Sequence, residues 1–364
     1  MKYFIIVGEA SGDLHASNLM KALKAQDADA DFQFWGGDLM EAQGGTLLKH
    51  YRDLAFMGFW EVLINLFTIL VNFKSCKRSI LEYNPHVVIL VDYPGFNLRM
   101  AAWAKKRSLK VFYYISPQVW AWKPKRVHQI KKAVDRMFVI LPFEREFYAG
   151  YDYDVDFVGH PLLDAVGDRK QEVEAGEKSI IALVPGSREQ EISRMLPVML
   201  SLQNDYPNHK FVVAGVSTVN RDIYEQHLKL GADFAIQFDN LEGILRSADV
   251  ALVTSGTATL QTALLKIPLV VCYKGSFFSY IIAKQLIKTK YISLVNLIMD
   301  REVVAELIQS DFNREMLKRE LDGLLKGERR KKMLQDFKLL NEKLGGPGAS
   351  SKTAELMLGY LKGR

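Results

Sequence analysis

The chain has 364 residues, of which 49% are hydrophobic and 25% charged, and its formal net charge is +6. This length predicts two domains, each large enough to bury its own core, with the composition of a soluble globular protein. The modest positive charge fits an enzyme that handles anionic substrates or touches an anionic surface, and it is too small to argue for nucleic-acid binding. The two cysteines, Cys76 and Cys272, stand in unrelated contexts, which argues against a disulfide framework and a metal cluster.

The first residues, MKYFIIVGEASGD, contain an apolar run that is too short for a signal peptide and leads directly into a glycine-rich turn. We therefore expect a cytoplasmic protein.

An apolar segment at 54–73, LAFMGFWEVLINLFTILVNF, is nearly long enough to span a bilayer, but Glu61 argues against insertion. Two interpretations stay open. The segment is either a buried amphipathic helix or a helix whose Trp60, Phe67 and Phe73 enter a membrane interface.

Strand and helix patterns alternate along the first half of the chain, which predicts a parallel α/β sheet. Strands are predicted at 3–8, 32–37, 87–94, 110–117, 136–144 and 155–161, and helices at about 15–24 and 98–106. The polar segment 165–178 has no periodic apolar residues and is predicted to be a linker.

The second half repeats this pattern. Strands are predicted at 179–187, 211–217, 234–238, 250–256 and 269–274, and helices from about 301 to 344 and from 351 to 361. We therefore predict a first domain at 1–168, a second at 169–340 and a helical tail at 341–364. Two doubly wound domains in series are expected to place their carboxyl-end loops around one interdomain cleft.

The turn after the first strand, GEASGDLH (8–15), has glycines that permit a tight backbone and, in Ser11, a hydroxyl at a helix start. The turn lacks the GxGxxG pattern of dinucleotide-binding sites. Ser11 and Asp13 are either helix caps or members of a site, because the first turn of a doubly wound sheet opens on the ligand side.

A carboxylate, Asp92, ends the buried strand of VDYPGFN (91–97), directly before Pro94 and Gly95. A carboxylate in that position faces a cleft or needs a buried partner. Two roles stay open for Asp92: a general base for an attacking hydroxyl, or an Asx-type cap of the bend.

The segment ISPQVWAWKPKRVHQIKK (115–132) combines Trp120 and Trp122 with Lys123 and Arg126. Aromatic rings beside clustered cations suit a phosphate-bearing ligand or an anionic lipid surface. The alternatives are tryptophans packed in the core and a solvated, charged helix face.

Two strand–turn–helix patterns in the second half suit a phosphate. In ALVTSGTATLQ (251–261), hydroxyls and free N–H groups lie at a helix start, and Gln261 is one turn further, within reach of a ribose. In LVPGSREQE (183–191), Arg188 follows the turn as a cation for a diphosphate, and Glu191 either orients Arg188 or caps the helix. His160, in VGHP, is interpreted as a structural residue.

The chain resembles the lipid-A-disaccharide synthase family in a series of motifs that occur in one order from residue 8 to about 302. They are GEASGD, MGFWEVL, VDYPGFN, SPQVWAWKPKRV, LPFE, VGHP, LVPGSR with Glu191, SGTATLQ, and YISLVNLI followed by Arg301-Glu302. The resemblance implies the two-domain glycosyltransferase B fold.

It also implies inverting transfer of 2,3-diacylglucosamine from UDP-2,3-diacylglucosamine to 2,3-diacylglucosamine 1-phosphate (lipid X). UDP leaves, the product enters lipid A and lipopolysaccharide biosynthesis, and the enzyme associates with the cytoplasmic face of the inner membrane. No metal or organic cofactor is implied.

The same resemblance implies roles for individual residues. Asp92 would be the base for the acceptor's 6-hydroxyl, Ser11 would lie near the reacting groups, and Arg188 would neutralise charge on the leaving UDP. The second domain would bind the UDP-sugar through Gly186, Ser187, Arg188, Ser255, Gly256, Thr257, Gln261 and Asn296. The first would bind the acceptor or the membrane through Trp60, Phe67, Trp120, Trp122, Lys123 and Arg126. In known family members the C-terminal segment is exchanged between two protomers, so two arrangements stay open for the basic tail at 341–364: it packs back on the first domain, or it is exchanged in a homodimer.

The chain departs from the family pattern at two positions. It has Gln261 where the family typically has a glutamate, and Gly95 where a second carboxylate often follows the proline, which concentrates the base role on Asp92. Two alternatives stay open: a UDP-sugar epimerase of the same fold, and a sugar-nucleotide or lipid-binding protein without catalysis.

Overall fold

The computed structural model of the chain describes residues 1–54, 66–165, 179–229, 234–275 and 289–363. The chain divides into two units, Met1–Ala165 with Leu344–Arg364, and Val166–Lys343. Each unit is built on one parallel sheet whose strands alternate along the chain with helices. The predicted α/β class with two doubly wound sheets is therefore confirmed.

The described part of the first unit contains seven parallel strands. They are β1 (Lys2–Ile6), β2 (Asp31–Gly36), β3 (Thr46–His50), β4 (Val87–Val91), β5 (Val111–Tyr114), β6 (Arg136–Val139) and β7 (Asp156–Phe157). Their order in the sheet is β3-β2-β1-β4-β5-β6-β7. The strand order reverses between β1 and β4, and ligands of doubly wound sheets bind at the carboxyl ends of strands at such a point.

Helices connect these strands. They are α1 (Ala10–Gln26), α2 (Asp38–Ala42), α3 (Leu66–Tyr83), α4 (Pro94–Lys105), α5 (Val119–Trp122), α6 (Val127–Ala133), α7 (Glu144–Ala149) and α8 (Leu162–Ala165). The strand β4 is buried along its whole length, which is the pattern of a central parallel strand covered on both faces.

Six parallel strands lie in the residues of the second unit that the structure describes. They are β8 (Ser179–Val184), β9 (His209–Gly215), β10 (Ala235–Phe238), β11 (Val250–Thr254), β12 (Leu269–Tyr273) and β13 (Glu306–Ile308), in the order β10-β9-β8-β11-β12-β13. Its helices are α9 (Glu189–Leu200), α10 (Asp222–Lys229), α11 (Leu241–Ser247), α12 (Thr257–Leu264), α13 (Leu294–Met299), α14 (Arg314–Leu325) and α15 (Glu328–Lys343). The strand order reverses here between β8 and β11.

The last helix, α16 (Ala349–Leu361), belongs to the first unit and packs against α1. The carboxylate of Asp164 caps it, accepting hydrogen bonds from the backbone N–H groups of Gly348 at 2.6 Å and Ser350 at 2.8 Å. A carboxylate at a helix N-terminus satisfies free N–H groups and the helix dipole together, so this cap holds the tail in place.

Several elements differ from the sequence-based expectation; for example, α1 begins at Ala10, five residues before its predicted start. The strands β3 and β13 lie where none is predicted, and β13 interrupts the segment 301–344 that is predicted to be helical. Both are edge strands: β13 has only three residues, too few to show a period of two, and β3 (TLLKH) lacks the continuous apolar run of the central strands. The helix α4 begins at Pro94, four residues before its predicted start, because a proline is well suited to the first position of a helix.

The apolar segment 54–73 lies only partly within the described residues. Phe73, on α3, is buried and stacks on Phe96 with ring centroids 4.2 Å apart, so of the two interpretations left open for this segment the buried helix applies to Phe73. Trp60 and the side chain of Phe67 fall outside the described residues. In the part of the chain that the structure describes, no helix has both the length and the apolar character needed to cross a bilayer.

Candidate active site

The turn between β1 and α1 lies directly against the end of β4. A Cβ atom on Gly8 would lie 2.2 Å from the ring of Tyr93, so only glycine permits this close approach. Ser11, in the first turn of α1, donates a hydrogen bond to the carboxylate of Glu9 at 3.2 Å. Glu9 and Ser11 therefore face the same strand end as Tyr93.

The backbone at the end of β4 is strained. Asp92 and Tyr93 have φ angles of 44° and 48°, in the left-handed region that non-glycine residues rarely adopt. Two donors hold the carbonyl of Asp92 in this conformation: Asn97 Nδ2 at 2.8 Å and the Tyr113 hydroxyl at 2.5 Å. Ile115, the residue directly after the neighbouring strand β5, also has a positive φ of 65°. Strain of this kind clusters at functional sites, where the surrounding structure compensates for it.

The carboxyl group of Asp92 is half-buried beside a second carboxyl group. Burial and the nearby Glu9, which lies close enough to share a hydrogen bond with it, together raise the pKa of Asp92 to about 7. Two carboxylates in one site cannot both ionise easily, so the pair holds a proton near neutral pH. A carboxyl group with this pKa is matched to general-base catalysis.

A third carboxyl group, Glu144, lies at the end of β6. It is buried and accepts hydrogen bonds from the backbone N–H groups of Ile140 at 3.2 Å and Leu141 at 3.0 Å. Burial raises the pKa of Glu144 to about 7, and its charge also raises the pKa of Asp92. Glu9 and Glu144 were not singled out from the sequence, although both occur in the quoted motifs GEASGD and LPFE.

Asp13 has a structural role. Its buried carboxylate accepts hydrogen bonds from the backbone N–H groups of Gly37 at 2.8 Å, Leu39 at 3.1 Å and Met40 at 3.2 Å. These donors include N–H groups at the start of α2 that have no partner within the helix. Asp13, which is more than twenty residues away in the sequence, therefore caps that helix.

His160 packs with a second histidine, His15, and their ring centroids are 6.4 Å apart. Burial lowers the pKa of His15 to about 4 and that of His160 to about 3, so both rings are neutral at physiological pH. His160 Nδ1 accepts a hydrogen bond from the backbone N–H of Leu162 at 3.2 Å. These contacts agree with the structural interpretation of His160.

The two tryptophans of the segment 115–132 have different environments. Trp120 is half-buried and packs edge-on against Phe143, with ring centroids 4.9 Å apart. Trp122 is exposed, and the cations of Lys123 and Arg126 lie 4.5 Å and 5.1 Å from the centroid of its ring. The sequence-based expectation of aromatic rings beside cations therefore applies to Trp122.

In the second unit, Glu191 organises the turn after β8. Its carboxylate accepts hydrogen bonds from the backbone N–H of Ser187 at 3.1 Å and from Arg188 Nη1 at 2.7 Å. Gly186 has a φ of 116°, and a Cβ atom there would lie 2.6 Å from Glu191 Oε2. Of the two roles open for Glu191, this geometry matches the orientation of Arg188, whose side chain is exposed.

The turn after β11 leads into α12, whose N-terminus no side chain caps among the described residues. Gly256 and Thr257 are exposed there, and Gln261 is half-buried one turn into the helix. Ser255 Oγ donates a hydrogen bond to the backbone carbonyl of Ile292 at 3.0 Å. Free N–H groups at an exposed helix start can bind a phosphate oxygen.

Asn296 is fully buried, and its amide is saturated by hydrogen bonds within the second unit. Nδ2 donates to the carbonyl of Val304 and to Glu306, each at 2.9 Å, while Oδ1 accepts from the N–H groups of Val303 at 2.8 Å and Val304 at 3.0 Å. An amide has two donors and two acceptor positions, so none is left for a ligand.

Glu306, on β13, also accepts hydrogen bonds from the backbone N–H groups of Ile292 and Ser293, each at 2.9 Å. Asn296 and Glu306 together therefore build the loop that contacts Ser255. Glu306 was missed because the segment around it was predicted to be helical.

The sequence profile of the family described as lipid-A-disaccharide synthetase matches residues 3–358. A lipid-A-disaccharide synthase from Trichlorobacter lovleyi is 38% identical over 375 residues, covering 99% of this chain and 98% of the relative.

Solved structures of other proteins share the fold at low identity. The glycosyltransferase of kitacinnamycin is 13% identical with a TM-score of 0.67, and 99% of each chain is covered. The UDP-GlcNAc 2-epimerase from Neisseria meningitidis bound to UDP-GlcNAc is 10% identical with a TM-score of 0.67, covering 98% of this chain and 100% of the other.

These two structures show the glycosyltransferase B fold that the resemblance implied, and at this identity they show the fold alone. The family profile and the relative each extend over nearly the whole length of the chain. The chain belongs to the lipid-A-disaccharide synthase family.

Proposed function

We propose that Asp92, assisted by Glu9 and Arg188, carries out the reaction of this family of glycosyltransferases, which use a UDP-sugar donor. The reaction joins 2,3-diacylglucosamine from its UDP derivative to lipid X. The observation that supports the assignment most directly is the half-buried Asp92 carboxyl group, whose pKa is raised to about 7 by burial and by Glu9.

In the proposed reaction, the ionised Asp92 accepts the proton of the acceptor's 6-hydroxyl as that oxygen attacks the anomeric carbon of the donor sugar. The bond between this carbon and the UDP oxygen breaks, its electron pair leaves with UDP, and the configuration inverts. Ser11, which hydrogen-bonds Glu9, is proposed to lie beside the reacting groups and to keep the Glu9 carboxyl group oriented.

In the second unit, Arg188 is proposed to neutralise the charge that develops on UDP as it leaves. Gly186 and Ser187 are proposed to provide the turn that Glu191 holds, while Ser255, Gly256 and Thr257 provide donors for a phosphate. Gln261 is proposed to contact the ribose with one amide group. We assign Asn296 a positioning role in place of direct contact, because its amide is saturated inside the protein.

We also propose that the protein associates peripherally with the cytoplasmic face of the inner membrane. On α3, Leu70 and Val71 are 59% and 47% exposed, and the exposed Lys74 follows one turn later. Apolar side chains beside a cation suit an anionic membrane surface. Trp60 and Phe67, whose side chains lie outside the described residues, are proposed to contact the membrane as well. The homodimer stays a prediction.

The reaction is tested by incubating the purified protein with UDP-2,3-diacylglucosamine, with and without lipid X. We expect UDP release only when both are present, because the base acts on the acceptor hydroxyl. Conversion of the UDP-sugar without acceptor would favour the epimerase alternative, and binding of both substrates without turnover would favour a non-catalytic protein.

Replacing Asp92 with asparagine is expected to lower kcat/KM about 10²- to 10⁴-fold, because an amide of the same size cannot accept the proton. Binding of UDP, measured by calorimetry, should be unchanged. Asp29→Asn, at an exposed aspartate of the same unit, is the matched control and should keep full activity. An active Asp92→Asn enzyme would remove Asp92 as the base.

The pH dependence of kcat/KM should report the carboxyl pair. Because the pKa of Asp92 is raised to about 7, Asp92 is protonated and inactive as a base below that pH, so kcat/KM should rise through about pH 7 to a plateau. In Glu9→Gln the neighbouring charge is absent, so the pKa of Asp92 falls and the rise should move to lower pH. Glu146→Gln, at an exposed glutamate near Glu144, should leave the profile in place; an equal shift in both variants would contradict the pairing.

Membrane association is tested with the double variant Leu70→Ser/Val71→Ser on vesicles that contain phosphatidylglycerol. Loss of two apolar side chains from the interface should weaken vesicle binding about tenfold or more, while activity on detergent-dispersed substrates persists. Leu339→Ser, at a leucine of the second unit that is 47% exposed, is the control and should bind like the unchanged protein. Equal vesicle binding by the double variant and the control would contradict this surface.

A further inference from the structure

The turn that contains Trp122 presents two cations on one exposed ring. The Nζ of Lys123 lies 4.5 Å from the ring centroid and the guanidinium carbon of Arg126 lies 5.1 Å from it, while Trp122 itself is 41% exposed. The backbone is fixed locally, since Lys123 N–H donates to the carbonyl of Val119 at 3.0 Å and Arg126 N–H donates to that of Lys123, also at 3.0 Å. The indole ring therefore holds both cations on a short, ordered turn.

These cations have no anionic partner within the described part of the chain. None of the ion pairs found there includes Lys123, Lys125 or Arg126, although other basic side chains of the same unit, such as Arg52 and Lys105, are paired with aspartates. Bringing like charges together without a counter-charge is unfavourable unless an anion completes the arrangement. The cluster of Lys123 and Arg126 on Trp122 thus has the charge and the exposure of an anion-binding surface.

The residues directly before this turn contact the segment that carries Glu144. Trp120, two residues before Trp122, packs edge-on against Phe143, the neighbour of Glu144. Its Nε1 is buried without a regular hydrogen-bond partner among the described residues, and it lies close enough to Glu144 to lower that group's pKa. Glu144 in turn acts electrostatically on Asp92. The short helix that carries Trp122 therefore also contacts, through Trp120, the surroundings of a carboxyl group that acts on the proposed base.

We propose that Lys123 and Arg126 bind the phosphate monoester of the acceptor sugar, with Trp122 holding the two cations in position. This inference rests on the proposed function, because it assigns the phosphate of the acceptor whose hydroxyl Asp92 activates. A guanidinium fork and an ammonium group complement a phosphate dianion through charge-assisted hydrogen bonds. The contact with the surroundings of Glu144 favours the acceptor over a phospholipid head group, because an acceptor must lie near the base, whereas a membrane lipid need not.

The test compares two acceptors, lipid X and the same diacylglucosamine without its 1-phosphate, in the unchanged protein and in the double variant Lys123→Gln/Arg126→Gln. For lipid X, the variant should raise KM about 10- to 100-fold, the loss expected for two charge-assisted contacts, with a smaller effect on kcat. For the acceptor without phosphate, the two proteins should have nearly equal KM values. The KM for the UDP-sugar should not change.

Lys125→Gln is the matched control, because Lys125 is exposed on the same turn and is not placed over the Trp122 ring. It should keep the KM of the unchanged protein for lipid X. Circular dichroism and the thermal midpoint should confirm that the double variant is folded.

Other outcomes overturn the inference in distinguishable ways. Equal KM values of the unchanged protein for both acceptors would exclude a phosphate subsite, and an equal rise of KM for both acceptors in the variant would indicate a structural effect. If the variant loses binding to phosphatidylglycerol vesicles but keeps its KM for detergent-dispersed lipid X, the cations serve the membrane. Absence of acceptor-dependent UDP release by the unchanged protein would overturn the proposed function itself.

Discussion

The buried amide of Asn97 ties together the carboxyl ends of the two central strands of the first sheet. Its two Nδ2 hydrogens are shared among three carbonyls: that of Ile6 at 3.3 Å, at the end of β1, and those of Val91 and Asp92 at 3.2 Å and 2.8 Å, at the end of β4. Two consecutive left-handed residues cost roughly 1–3 kcal/mol each, and this network with the Tyr113 hydroxyl offsets that cost. The position of the Asp92 carboxyl group, and with it the proposed chemistry, depends on this constraint.

In the second unit, carboxylates accept the hydrogen bonds that fix the backbone of the turns after the strands. Glu191 holds the turn after β8 by accepting hydrogen bonds from a backbone N–H and from Arg188, and Glu306 holds the loop that contacts Ser255. In both places a charged acceptor satisfies N–H groups that an irregular turn would leave unpaired. Side chains behind the exposed residues therefore shape each turn, so the residues proposed to contact UDP are presented by a preorganised backbone.

Much of this arrangement could be predicted from local patterns. The apolar strands and the residues at their carboxyl ends identified Asp92, Arg188 and the turn around Ser255 as candidates, because strand ends of parallel sheets converge. Glu9, Glu144 and Glu306 could not be identified in this way. A carboxylate in a turn has the same local signature whether it caps a helix, pairs with another carboxylate or faces solvent, and only its distant neighbours distinguish these cases. Asn296 shows the converse: the motif suggested ligand contact, while its partners seven to ten residues away saturate its amide.

By itself, the sequence determined the class of fold, the succession of two parallel sheets and the family, because these follow from the period of apolar residues and from the order of motifs along the chain. The tertiary structure decided which side chains act on one another. It placed Glu9 beside Asp92, buried Phe73 in the core, and brought Lys123 and Arg126 onto the ring of Trp122. The raised pKa of Asp92, the saturated amide of Asn296 and the clustered cations on Trp122 all depend on which residues are neighbours in space. The spacing of residues along the chain does not specify those neighbours.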